Sequence, residues 1–357
     1  MRPLDVALDG PALNLAELAA DARGRLDPVH WDFFSGGAGE ERTVRANEAA
    51  FARRWLVPRV LRGAARRDLR ISLFGSRISM PVLIAPTAFH RLAHPEGEVA
   101  TARAAADAGT IMVVSMAATR PVEEIAAAGG PLWFQLYPQP DLDFTAAVVR
   151  RAEAAGCSAL VVTVDSPVFG RRERDLRHGF VDLPPGLRCE NMRDATGRVR
   201  DIEMDAGLGW DRIAWLREVT TLPILLKGVL HPADAALAVS YGLDGLLVSN
   251  HGGRQLDGAL ATLDALPAVV EAVGGRLPVL LDGGVRRGAD VLVALAFGAS
   301  AVLVGRPVLW GLAVGGAAGV RQVLDLLRAD LDRALTLAGV AGPADLRDDL
   351  VATVACG

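Results

Sequence analysis

From about residue 80 onward the chain alternates two hydrophobic rhythms. Short apolar runs rich in Val, Ile and Leu stand at residues 81–85, 111–115, 133–137, 159–165, 223–227, 245–249, 278–282 and 301–305. Runs of this length and composition predict buried strands. Between them lie Ala/Leu/Arg-rich segments of helical spacing, at 98–108, 122–128, 144–155, 211–219, 233–241, 263–273 and 289–297. A last segment, 320–337, closes the series. Eight parallel strands with crossover helices predict an α/β fold, a (β/α)8 TIM barrel. An open doubly wound sheet is the weaker alternative, because no Gly-rich dinucleotide loop follows the first strand.

Two stretches break the rhythm. Residues 1–75 show helical spacing at 15–23, 28–34 and 42–51, then short extended pieces. They predict an N-terminal helical cap packed on the barrel. The barrel then occupies residues 76–340, with a C-terminal tail at 341–357. Residues 173–208, between the fourth and fifth strands, are rich in Pro, Gly and charge. A loop that long inside a compact barrel is either a lid or substrate loop, or a surface excursion without a role.

Composition narrows the function classes. The chain has 357 residues, 51% hydrophobic and 22% charged, which fits one large barrel with additions. A net charge of −4, with Arg interleaved among Asp and Glu, leaves no nucleic-acid footprint. Cys157, Cys189 and Cys356 are widely spaced and match no zinc or redox pattern, so a reducing cytoplasm is expected. Residues 1–5 lack the apolar core of a signal peptide, and no uncharged run is long enough to span a bilayer. No His/Asp/Glu spacing suggests a metal.

The chemistry collects at the C-terminal strand ends, the active-site face of such a barrel. Thr87, Ser115, Gln135, Tyr137, Thr163, Asp165, Lys227, Ser249, His251, Asp282 and Arg306 all stand there. The densest stretch is Ser249-Asn250-His251-Gly252-Gly253-Arg254-Gln255-Leu256-Asp257. It delivers a base and a cation together, with two glycines that clear space for a tight turn or a flat ligand. Taken alone it could equally be a polar loop with a capping His. Asp282-Gly283-Gly284-Val285-Arg286 and Gly305-Arg306-Pro307 follow the seventh and eighth strands. Glycine amides, an Arg and a helix N-terminus there predict a phosphate site, hence a phosphorylated cofactor or substrate. Lys227 could form a Schiff base in a lyase, or place a fixed charge beside a cofactor ring. His94 has helix-cap character, and His30, His90, His178 and His231 are expected in surface or capping roles. Of the two tyrosines, Tyr137 ends a strand and Tyr241 suits helix packing.

The 249–255 stretch resembles the active-site motif of the FMN-dependent 2-hydroxy acid oxidases and dehydrogenases, the family of glycolate oxidase, lactate oxidase and mandelate dehydrogenase. The resemblance runs from about residue 28 to residue 340. It also includes Ala85-Pro86-Thr87-Ala88, His94-Pro95-Glu96-Gly97-Glu98, Phe134-Gln135-Leu136-Tyr137, Thr163-Val164-Asp165, Gly170-Arg171-Arg172, Leu226-Lys227-Gly228 and the two phosphate loops. It implies FMN as cofactor and oxidation of a 2-hydroxy acid to the 2-oxo acid. Oxygen or another electron acceptor would follow, and a homotetramer is the usual assembly. His251 would be the base and Asp165 its partner. Arg254 and Arg172 would clamp the substrate carboxylate, and Tyr137 would hydrogen-bond the substrate. Lys227 would sit beside the flavin ring and stabilise its reduced anion. Pro86, Thr87, Ala88, Ser115, Gln135, Tyr137, Thr163 and Ser249 would line the flavin. Asp282, Gly283, Gly284, Arg286, Gly305 and Arg306 would hold its ribityl and phosphate end.

Two positions depart from the resemblance. Phe33 stands where many members carry a Tyr that contacts the carboxylate, and Ala117 stands where glycolate-type members carry a bulky Trp. The pocket is therefore expected to be roomier and more apolar, and suited to a larger, mandelate-like acid. No long apolar insert interrupts 173–208, which favours an oxidase over a membrane-bound dehydrogenase.

Overall fold

The computed structural model describes residues 12–63 and 67–353. The expectations for residues 1–5 and for Cys356 lie outside them.

The chain opens with three helices. Helix α1 (Leu15–Arg25) starts at Asn14, whose side chain accepts from the Ala16 and Glu17 amides. Its buried face, Leu15, Leu18 and Ala22, packs on the last helix of the chain. Helix α2 (Pro28–Ser35) has Asp27 as its cap and a proline in its first turn, a standard start. It carries Phe33 and Phe34 inward. Helix α3 (Arg42–Ala52) leads into strand β1 (Arg54–Leu56). A hairpin follows, β2 (Ile71–Leu73) and β3 (Ser76–Ile78), turning through Phe74 and Gly75 at positive φ.

Eight parallel strands close into a barrel: β4 (Val82–Ile84), β5 (Met112–Ser115), β6 (Leu132–Leu136), β7 (Leu160–Thr163), β8 (Ile224–Val229), β9 (Gly245–Val248), β10 (Val279–Asp282) and β11 (Ala301–Val304). Their uninterrupted apolar character follows from the period of two, because both faces are buried. Leu83, Val113, Trp133, Val161, Leu225, Leu247, Leu280 and Leu303 fill the interior. Val82, Ile84, Met112, Val114 and their counterparts face the helices. Leu73 and Ile78 of the hairpin plug the bottom of that interior, with Phe74 edge-on to Trp133 at 5.5 Å.

The surrounding helices are α4 (Glu98–Ala108), α5 (Val122–Ala126) and α6 (Leu142–Ala154), then α7 (Glu173–His178) inside the long connection. They continue with α8 (Trp210–Val219), α9 (Pro232–Ser240), α10 (Thr262–Val273), α11 (Gly288–Ala296) and α12 (Arg306–Ala338). Strand β12 (Val351–Thr353) returns to pair antiparallel with β1.

Helix α12 begins fourteen residues before the expected 320, directly at the end of β11. Four glycines hide its first half from a propensity argument. It kinks at Gly315 and Gly316, and Gly316 lies at φ 56° against the His94 ring, where a Cβ would come within 2.9 Å of Nε2. His90 is a second correction. It is neither surface nor capping but only 1% exposed, because the turn after β4 folds it inward beneath the barrel mouth.

Candidate active site

A cavity of about 960 Å³ opens at the C-terminal rim of the barrel. Phe33, Pro86, Thr87, Ala88, Ser115, Ala117, Tyr137, Arg172, Lys227, His251, Arg254, Asp282, Gly283, Gly284, Arg286, Gly305 and Arg306 line it. Asp165 and the buried Gln135, Thr163 and Ser249 stand at the same strand ends but outside that lining. Residues 181–189 and 199–202 form part of the wall, so the long connection belongs to the site rather than to the outer surface.

The His251 position is built by constraint. His251 follows β9 at φ 59°, a left-handed conformation that non-glycine residues rarely adopt. Several contacts hold it there. Its amide donates to Ser249 Oγ at 3.0 Å, and its Nδ1 lies 2.8 Å from Asp165 Oδ1. Its Nε2 lies 3.4 Å from the Tyr137 hydroxyl, with the two rings stacked at 6.4 Å. Gly252 and Gly253 continue at positive φ, and a Cβ on Gly253 would come within 2.7 Å of the Val44 amide nitrogen of α3. The two glycines thus permit the turn and its close contact with the cap.

Charge organises the rest. Lys227, 4% exposed, places Nζ 4.0 Å from both Asp165 Oδ2 and Asp282 Oδ2. Burial pushes the Asp165 carboxyl up, but the His251 and Lys227 charges outweigh it and hold its pKa at about 2. Burial and Lys227 lower the His251 pKa against the opposing pull of Asp165, so the imidazole is neutral at pH 7. Burial raises the Asp282 carboxyl, with Lys227 opposing. Burial and Asp165 raise the Tyr137 phenol, which keeps its proton.

One corner of the cavity pairs two guanidinium groups with one ring. Arg254 Cζ lies 5.0 Å and Arg172 Cζ 5.5 Å from the Phe33 ring centroid. Phe33 also packs on Phe34, Phe89 and Phe180. Arg254 donates to the Phe33 and Gly36 carbonyls at 2.7 and 3.0 Å, and Arg172 to Asp175 at 2.6 Å. Burial, with Arg172 and Arg306 nearby, pulls the Arg254 pKa down to about 9, which leaves it charged at neutral pH.

At the other end, Arg306 donates to the Gly252 and Gly36 carbonyls, both at 2.9 Å. Burial and the Arg286 charge lower its pKa to about 10. Arg286 bonds Glu48 at 2.8 Å and covers the Trp310 ring at 5.1 Å. The N-terminus of α12 starts here, so its amides and dipole add to two arginines, the composition of an anion site.

Several buried polar atoms have no hydrogen-bond partner among the described residues: Gln135 Nε2, Thr163 Oγ1, Asp165 Oδ2, Asp282 Oδ1 and Arg306 Nε. Buried polar atoms are rarely left so. Their donors and acceptors, together with the cationic end, fit a flat polar ring system carrying a phosphate.

Residues outside the expected set also hold the site. Ser166 Oγ donates to Asp165 Oδ1 at 2.9 Å, and its place next to Asp165 was a usable signal. Asn47 and Asn250 exchange two amide bonds at 2.9 and 2.7 Å across 203 residues of sequence. Asp257 accepts from the Glu40 and Thr43 amides at the start of α3. No local pattern could have joined those pairs.

The profile of the FMN-dependent dehydrogenase family matches residues 22–353. The chain is 48% identical to an L-lactate oxidase of Nostoc sp. over 95% of this chain and 98% of that protein. It is 45% identical to glycolate oxidase 5 of Oryza sativa subsp. japonica, over 97% of each. A crystal structure of mandelate oxidase with (S)-2-phenylpropionate is 45% identical, with a TM-score of 0.90 over 96% of this chain and 99% of that one. The closed barrel, the cationic end of the cavity and these relationships agree: the chain belongs to the FMN-dependent dehydrogenase family, within its 2-hydroxy acid oxidases.

Proposed function

We propose that this enzyme oxidises an (S)-2-hydroxy acid with an aromatic side group to the 2-oxo acid and passes the electrons to oxygen. The observation that carries the substrate reading is the Phe33 wall. Its phenyl ring, 5% exposed among Phe34, Phe89 and Phe180, replaces a hydroxyl with apolar surface beside the two arginines. Ala117 on the same cavity leaves room for a ring. Mandelate oxidase, which shares this fold at 45% identity, has been crystallised with benzoyl-formic acid, an aromatic 2-oxo acid.

FMN, when bound, supplies the two-electron acceptor that side chains lack. Gln135, Thr163 and Ser115 would hold its polar ring edge, Asp282 its ribityl chain, and Arg286, Arg306 and the start of α12 its phosphate. Arg254 and Arg172 hold the substrate carboxylate through charge-assisted hydrogen bonds. The Tyr137 hydroxyl orients the substrate oxygen. His251 Nε2, neutral and facing Tyr137, takes one of the two substrate hydrogens as a proton. Asp165 at Nδ1 stabilises the imidazolium that forms. Lys227, an ammonium between two carboxylates, contributes fixed positive charge. That ion pairing is the reverse of the apolar setting a Schiff-base lysine requires.

Steady-state oxidation of glycolate, lactate and mandelate tests the reading. Burying a phenyl group contributes about 1.5–3 kcal/mol, so kcat/KM for mandelate should exceed that for glycolate by about tenfold or more. The L-lactate oxidase relative favours a second reading, in which lactate leads. A glycolate preference contradicts both.

A further inference from the structure

We propose that His90 is a positioning residue that fixes the turn after β4, holding Thr87 toward the cofactor and Phe89 against the substrate wall. The Phe89 half rests on the substrate reading above, and the Thr87 half only on the family's FMN.

His90 is a fully buried titratable group outside the proton-transfer set, and both its ring nitrogens are engaged. Nε2 lies 2.6 Å from Thr87 Oγ1, and Nδ1 lies 2.9 Å from Thr101 Oγ1 on α4. Its backbone amide donates to Glu98 Oε1 at 3.1 Å. Glu98, itself fully buried, also accepts from the Thr119 amide and hydroxyl. The imidazole therefore bridges a helix behind the barrel to a residue on the cavity wall. Burial keeps it neutral, with Glu98 opposing.

The intervening residue shows what the bridge constrains. Phe89 sits at φ 64°, a left-handed conformation disfavoured for a bulky side chain. It lines the cavity and stacks on Phe33 at 5.2 Å with an interplanar angle of 19°. Such a conformation persists only where neighbours over-determine it. The Thr87–His90 bond closes the turn on one side, and the Phe89 amide donates to the Ala117 carbonyl at 3.3 Å on the other. One imidazole thus sets both a residue of the cavity wall, Thr87, and the aromatic ring next to Ala117.

The test compares His90→Leu, His90→Gln and Thr87→Val by titrating each apoprotein with FMN and following fluorescence quenching. Removing the bridge leaves a buried polar partner unpaired, and the FMN Kd should rise about tenfold in His90→Leu and in Thr87→Val. His90→Gln, which keeps a neutral hydrogen-bonding group, should stay within about threefold of the parent by the same reasoning. KM for the hydroxy acid should rise more than kcat falls. The acid limb of the pH profile should not move, because Asp165, Lys227, Tyr137 and Arg254, which surround His251, are untouched. Equal FMN Kd and KM in parent and Thr87→Val overturn the proposal, even if His90→Leu does not fold. A raised Kd in His90→Leu but not in Thr87→Val also overturns it, because the effect would then be core packing. A glycolate preference in the parent would remove the aromatic-substrate reading and leave the FMN result to stand or fall alone.

Discussion

At the residue scale, the proposed function rests on two side chains: His251 as the base and Phe33 as the substrate wall. His251 must be neutral to take a proton, and burial and Lys227 place its pKa below the ordinary 6.5. Activity should therefore fall as pH drops below the ordinary imidazole range, through the lowered value. Replacing Lys227 with Met removes a charge that disfavours the imidazolium, so the limb should move to higher pH. A limb that moves down contradicts this electrostatic assignment. Phe33→Tyr restores a hydroxyl beside Arg172 and Arg254, and a hydrogen bond to a charged group contributes about 1.5–3 kcal/mol. The variant should gain on glycolate relative to mandelate, measured as the ratio of the two kcat/KM values. The place of both residues at the cavity was legible in the sequence, His251 from its position after an apolar strand and Phe33 from its departure from the family pattern. His90 was not, because burial of a lone His leaves no local signal.

Among the elements, the cap matters as much as the barrel strands. The start of helix α3 reaches the loop after β9 through three sets of polar contacts: Asp257 to the Glu40 and Thr43 amides, Gly258 to Thr43, and Asn250 to Asn47. Asp257 caps α3 from more than 200 residues away, in place of a local capping side chain. Asp257→Ala should cost about 1 kcal/mol by urea denaturation, the usual effect of a lost cap. Asn47→Ala should cost about 1–3 kcal/mol, because one N–H of the buried Asn250 amide loses its acceptor while the other keeps the Leu260 carbonyl, and should also lower kcat by loosening the His251 turn. Unchanged kcat would separate the cap from the chemistry. Strands and most helices were visible in the hydrophobic pattern because each is a local property. The cap-to-loop staples were invisible because they join segments that only the fold brings together. The early start of α12 was invisible because its glycines serve a kink and close packing rather than a turn.

For the whole molecule, the closed barrel separates stability from function. Apolar side chains and the β2–β3 hairpin fill its interior and its lower end, while charge collects at the upper rim. The long connection after β7 and the cap add walls to that rim and bound the 960 Å³ cavity. Among the described residues no helix is long and apolar enough to cross a membrane. The most direct test of the account is the visible spectrum of the FMN-loaded enzyme during anaerobic addition of mandelate, followed by air. The flavin absorption should bleach in the parent and return in air with hydrogen peroxide, while His251→Ala should retain FMN and stay coloured. Rapid bleaching in His251→Ala, or no bleaching of the parent by any 2-hydroxy acid, would contradict it.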